Sequence, residues 1–126
     1  MIGIGKVIYN LLTATGTTIY TIVGKKVYPL IIPENTQLPC IVYERNGNYE
    51  YSRDGQAIAT TVVDITVLSE DYSQTINIAE GVFNILNMYS GENSTIHVYN
   101  TRLISVQETY AENAFIQKLT FEVKSI

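Results

Sequence analysis

Few residues in this chain combine the types and spacing that chemistry requires. Gly3-Ile4-Gly5-Lys6 has the glycines and lysine of a phosphate cradle, but no strand signal precedes it and no Ser or Thr follows the lysine. Gly24-Lys25-Lys26 fails in the same way: Gly16 lies at the wrong distance, and Lys26 stands where the metal-binding hydroxyl belongs. Both read as ordinary backbone features, the second as a turn. Cys40 and the only histidine, His97, are the pair from which a thiolate nucleophile and its base could be built if the fold brought them together. The simpler reading is a structural thiol beside Pro39 and a strand histidine. With one histidine and one cysteine, the chain cannot assemble a common transition-metal site. The adjacent carboxylates Glu70 and Asp71 could share acid–base work or hold a hard cation, but a following helix N-terminus accounts for both. Asn93-Ser94-Thr95 matches a glycosylation acceptor and is read as a turn. The expectation is therefore no catalytic residue, no metal and no cofactor.

The elements that position these residues follow from periodicity. Ile4, Val7, Ile8, Leu11 and Leu12 recur at helical spacing, and residues 13–16 supply a stop. Residues 17–23 are β-branched and tyrosine-rich, and residues 26–28 are a candidate short edge strand before Pro29. Pro33 and Pro39 frame a surface loop that delivers the chain into a strand near Cys40. In residues 57–68, Val63, Ile65 and Val67 share one face, while Val62, Asp64, Thr66 and Leu68 share the other. Tyr72, Ile76, Ala79, Val82, Phe83 and Leu86 then mark a helix that begins after Ser69-Glu70-Asp71 and runs to about Asn87. Residues 95–108 and 114–124 read as a closing hairpin across a polar turn at 109–113. The expected fold is α+β: one domain over residues 1–126, with a single, mainly antiparallel sheet of about four strands and two helices on one face.

The 126 residues, 46% hydrophobic and 16% charged, suffice for one buried core. Apolar runs such as Leu30-Ile31-Ile32 are far too short to span a bilayer, and the N-terminus lacks a secretory pattern, so a cytoplasmic origin and no membrane partner are expected. A lone cysteine closes no intrachain disulfide. Twelve acidic against eight basic residues give a net charge of −4, the wrong sign for gripping phosphates. An acidic wall is nevertheless compatible with DNA sliding past it without sticking.

Ten tyrosines, with no tryptophan and three phenylalanines, suit half-buried protein interfaces as well as strands. The segment 46–56 joins turn formers, both charge signs and aromatic rings, and is expected to be a long exposed hairpin tip. Its Tyr49, Glu50, Tyr51, Arg53 and Asp54, together with Tyr110 and Glu112 of the second turn, are the candidate interface residues. The alternative is a solvated tip whose tyrosines fold back on the sheet.

Val27-Tyr28-Pro29-Leu30, then Pro33 and Leu38-Pro39-Cys40-Ile41-Val42-Tyr43-Glu44, resemble a pattern of tail terminator proteins in long-tailed bacteriophages and prophages. Cys40 departs from that pattern, which more usually has an aromatic residue there. Val67-Leu68-Ser69-Glu70-Asp71-Tyr72, leading to Ala79-Glu80, looks like the family's strand-to-helix junction, and the closing hairpin matches too. The resemblance implies a fold similar to the lambda-type terminator and a homo-oligomeric ring, commonly a hexamer, seated on the last ring of the tail tube. Such a ring ends tube polymerisation, presents a surface to the head connector or stopper protein, and lets DNA through without specific binding. It implies a place in the virion at the head-tail junction, after assembly in the bacterial host cytoplasm. Rival readings are another head-tail joining ring (a stopper or adaptor), a monomeric binding module, or a small enzyme built on Cys40 and His97.

Overall fold

The computed structural model describes residues 2–53 and 56–126, with side chains described outside 48–53 and 56–58. In chain order the elements are α1 (Ile4–Leu12), α2 (Thr18–Val23), β1 (Val27–Pro29), β2 (Cys40–Arg53), β3 (Gln56–Ser69), α3 (Tyr72–Leu86), β4 (Gly91–Asn93), β5 (Ile96–Ala111) and β6 (Ala114–Ser125). The strands form one sheet in the order β1-β2-β3-β6-β5-β4. β1 runs parallel to β2 and every other neighbour pair is antiparallel.

This corrects the expected four-strand, two-helix layout. The described residues form a mixed, six-stranded sheet curled into a half-barrel, with three helices. Of the strands beyond the expected four, β1 is the candidate edge strand of residues 26–28, found at Val27–Pro29, whereas β4 is three residues with no alternation by which it could be read. The added helix, α2, lies where β-branched residues suggested extended chain. Thr17 caps it, its hydroxyl accepting from the Tyr20 N–H at 3.1 Å, and Ile19 and Val23, one turn apart, are both buried. Local capping and core burial override β-propensity there.

The segment 46–56 also differs from expectation, because β2 continues through Arg53 and pairs with β3 down to Arg53 opposite Gln56. Asn46-Gly47 reads as a turn but forms a bulge: the register shifts between Arg45 and Asn48, and Gly47 has a φ of +149°, open to glycine alone at little cost. The bulge lets Asn46 reach Asp64, donating to its carboxylate at 2.7 Å. Thr120 donates to the other oxygen at 2.6 Å, and the Lys118 ammonium lies 3.7 Å away. A carboxylate with 2% exposure needs such partners, since burying it alone is costly.

The core lies between the helices and one face of the sheet. Alternation puts Ile41, Val63, Ile65, Val67, Leu119, Phe121 and Val123 on that face, against Ile4, Val7, Ile8 and Leu12 of α1 and Ile78, Val82 and Leu86 of α3. Asp71 caps α3, accepting from the Gln74 N–H at 3.0 Å, so the capping role expected of the acidic pair falls to Asp71. No helix among the described residues is long and apolar enough to cross a membrane.

Gly81 lets α2 approach α3: a Cβ there would lie 2.9 Å from Ile19 Cγ1. Overpacking costs about 1–3 kcal/mol, against about 1 kcal/mol gained in helix propensity. Gly81→Ala is therefore expected to lower the melting temperature by a few degrees. In an Ile19→Ala background the same substitution should turn neutral or stabilising, which thermal denaturation of the four chains would show.

Candidate functional site

The sheet carries two long hairpins that open at opposite ends. β3 pairs with β6 from Ala59 opposite Ser125 to Ser69 opposite Phe115. The β2–β3 ribbon runs on past the Ser125 end, while the β5–β6 turn lies at the Phe115 end. At about 3.3 Å per residue, the length of β3 from Gln56 to Ser69 separates the described end of the β2–β3 ribbon from the Phe115 row by roughly 40 Å. The candidate interface residues therefore form two groups.

Tyr49 and Glu50 lie in β2 opposite Thr60 and Ala59, where β3 is still paired with β6, and Tyr51 and Arg53 lie opposite Ile58 and Gln56 in the two-stranded ribbon beyond it. Asp54 lies outside the described residues. Tyr110 is in β5, with Glu112 in the turn beyond it; Glu112 and Asn113 both have positive φ, 52° and 64°, as a two-residue hairpin turn matching the strand twist demands. Tyr110 is 58% exposed and packs its ring 4.9 Å from that of Phe115, which in turn meets Tyr72 edge-on at 5.6 Å.

Cys40 and His97 do not meet. Cys40 is at the Ser69 end of β2, paired with Leu68, whereas His97 is in β5 beside Ile126. The ten residues of β6 between the corresponding rows put them roughly 30 Å apart along the strands alone. Cys40 is buried, and burial pushes its thiol pKa up, away from a reactive thiolate. Among the described residues, no three His, Cys, Asp or Glu side chains gather where they could hold a metal ion.

The feature that periodicity pointed to without resolving is a groove between α3 and β5. α3 has two apolar stripes. Thr75, Ile78, Val82 and Leu86 are buried against the sheet, while Tyr72, Ile76, Ala79 and Phe83 run beside them, with Tyr72 42% and Phe83 38% exposed. Ile76, Ala79 and Phe83 form one wall of a groove of about 340 Å³, Leu103 and Val106 of β5 the other, and Leu119 the floor. Glu80 and Glu108 line it too. The Glu108 carboxylate accepts from Gln117 Nε2 at 2.7 Å and from the Tyr72 hydroxyl at 2.8 Å, tying the closing hairpin to the start of α3.

Beside this groove the edge of β5 is open. β4 pairs only with Ile96, His97 and Val98. The Met88 N–H then donates to the Thr101 carbonyl at 2.7 Å, and the Leu103 N–H donates to Asn87 Oδ1 at 3.1 Å. From Ile104 to the turn, no described strand pairs with the outer edge, and Ile104 and Val106 are 46% and 52% exposed. Such an edge can accept another chain.

The architecture is that of a strand-rich α+β domain with open sheet edges. It is similar to a chain of a solved structure titled "Virion of native gene transfer agent (GTA) particle": 94% of this chain and 90% of that one are covered, with a TM-score of 0.80 at 16% identity. At that identity the likeness is one of fold. No family model matches the sequence, and no curated protein matches it.

The hydrogen bonds from Gln117 and then Tyr72 hold Glu108 below the usual carboxylate range. A lowered folded pKa adds stability that is present above the unfolded value and lost as pH falls through the folded one. In a carboxyl NMR titration, Gln117→Leu should raise the Glu108 midpoint more than Tyr72→Phe does. An unchanged midpoint in both variants would show that these contacts do not form in solution.

Proposed function

We propose that this protein is a structural component of a phage-like virion, and more specifically a tail terminator. In this reading it forms a ring, of six copies in the related family, that caps the tail tube, ends its polymerisation and joins tail to head. The observation that carries the proposal is the fold likeness to a virion chain along 94% of the sequence. The order of the Val-Tyr-Pro, Leu-Pro and strand-to-helix motifs supports the finer assignment.

The physical form suits the task. A ring needs head-to-tail contacts that close after a fixed rotation, while a tube needs faces that stack repeatedly; a terminator offers the tube a single stacking face. Hairpins directed to opposite ends give one subunit two different reaches, one for a neighbour or the tube and one for the head side. Tyr49, Glu50, Tyr51, Arg53 and Asp54 serve the first end in this proposal, Tyr110 and Glu112 the second. The net charge of −4 keeps DNA passing through the lumen from adhering. The work is done by assembly, with no bond made or broken.

A stopper or adaptor ring is the nearest alternative, and partner choice separates the two: a terminator caps purified tail tubes, whereas a stopper seals the portal side. Electron microscopy of tubes grown with the protein should show ends closed by an added ring and lengths that stop increasing. Tyr49→Ala combined with Tyr51→Ala should leave the melting temperature near that of the parent but reduce ring formation and capping several-fold. Wild-type-like oligomer mass and capping in the double variant would remove the β2–β3 ribbon from the contact.

A further inference from the structure

The edge of the sheet opposite the groove carries an apolar projection. After β1 the chain makes a three-residue turn at Leu30: the Ile31 N–H donates to the Pro29 carbonyl at 2.7 Å, and Leu30 has a φ of +68°. This is the rare, strained hand of that turn, and a branched aliphatic residue is ill suited to it. The Leu30 N–H, bonded to the Tyr43 carbonyl at 2.9 Å, anchors the turn to β2. The strain yields no burial within the subunit, since Leu30 is 67% and Ile31 74% exposed, with Ile32 at 36%. Strained backbone holding apolar side chains in water points to a contact made elsewhere.

Projection and groove are complementary in three respects. They lie at opposite edges of one sheet, β1 at one end of the strand order and the open run of β5 toward the other, as a contact repeated head to tail around a ring requires. Their volumes match: a dry apolar cavity of about 150 Å³ takes one benzene-sized group, so 340 Å³ has room for two aliphatic side chains. Their charges differ in sign. Residues 1–47 hold four basic and two acidic side chains, Glu34 and Glu44, whereas residues 70–126 hold three basic and seven acidic ones. Lys25 and Lys26 precede the turn, and Arg45 lines a hollow with Leu30 together with Glu44, while α3 has no Lys or Arg and the groove is lined by Glu80 and Glu108.

We propose that Leu30 and Ile31 of one copy seat in the α3–β5 groove of the next copy, between Phe83 and Val106. This rests on the ring reading above and names its subunit contact. Unlike the hairpin tips, the two surfaces are on the flanks of the subunit, so this contact is additional to the one the β2–β3 ribbon makes with a neighbour or the tube.

The test uses two exposed substitutions, Ile31→Asp on the projection and Val106→Asp in the groove, with circular dichroism to confirm that each variant folds. Oligomer mass is read by native mass spectrometry and light scattering over a wide concentration range. The parent should form the ring, and each variant alone should be monomeric. Mixed in equal amounts, the variants should give dimers and nothing larger, because only one intact projection and one intact groove remain to meet. Retention of the parent's ring mass by either variant would overturn the proposed seat and leave the ring reading standing. So would variants that keep the ring but lose tube capping, since the groove would then take the tube protein. Two monomeric variants that stay monomeric on mixing would also refute a complementary contact. A parent that is monomeric at every concentration would instead remove the ring reading, and this contact with it.

Discussion

The ladder between β3 and β6 holds the molecule together. It joins residues 59–69 to 115–125, about half the chain apart, and every other feature hangs from it. On one side it receives β2 and then β1; on the other, β5 and then β4. The same pairing sets Ile65 beside Leu119 and Val63 beside Phe121, giving α1 and α3 a continuous apolar surface to cover. Because Leu119 also faces Val106 across β6–β5, the groove floor exists only once this long-range ladder has formed. Loop-closure entropy opposes such a pairing until its burial is complete, so the hairpins and α3 are expected to join cooperatively.

The helices cover less than the sheet offers. α1 packs on β1 and β2, α3 on β3, β6 and β5, and α2 on α3. Past α3, the helix-facing side of β5 continues through Val106 and Tyr110 with no helix above it, while Leu30 to Ile32 stand out at the far edge. Monomeric proteins usually blunt such edges with charge, proline or very short strands. β1 ends in Pro29 and is three residues long, whereas the closing part of β5 is long and carries Ile104 and Val106. A chain that functioned alone would carry an aggregation liability here; one that functions among copies of itself has a use for it.

Much of this was legible in the sequence, for identifiable reasons. α1, α3 and the closing hairpin have strong periods, a capping acid at Asp71 and turn formers at Glu112-Asn113, so local signals and tertiary packing agree there. α2 was hidden because its residues prefer strands and only the Thr17 cap and the burial of Ile19 and Val23 decide otherwise. Asn46-Gly47, among the turn formers of segment 46–56, forms a bulge within β2 instead, from which Asn46 donates to Asp64 on the neighbouring strand, a long-range partner that local sequence does not show. β4 has three residues and no pattern, and becomes a strand only because Ser94 and Thr95 turn the chain back at positive φ. The groove was half visible. Tyr72, Ile76, Ala79 and Phe83 stood out as helical apolar residues, but periodicity cannot say which of two adjacent stripes the sheet will cover.

That ambiguity bears on how the chain is used. A helix with two apolar stripes about 100° apart can turn either toward the sheet, and the choice falls to the side whose residues fit under the neighbouring elements. Here the buried stripe is Thr75, Ile78, Val82 and Leu86, and in the same rotation Gly81 faces Ile19 of α2, where a side chain would crowd the close approach. The second stripe is then left beside β5, where Val106 is half exposed and Leu103 is partly buried. The close contact between α2 and α3 and the open groove are thus two results of one rotation. A fold that buried both stripes would need another element over β5, and within the described residues that place is open.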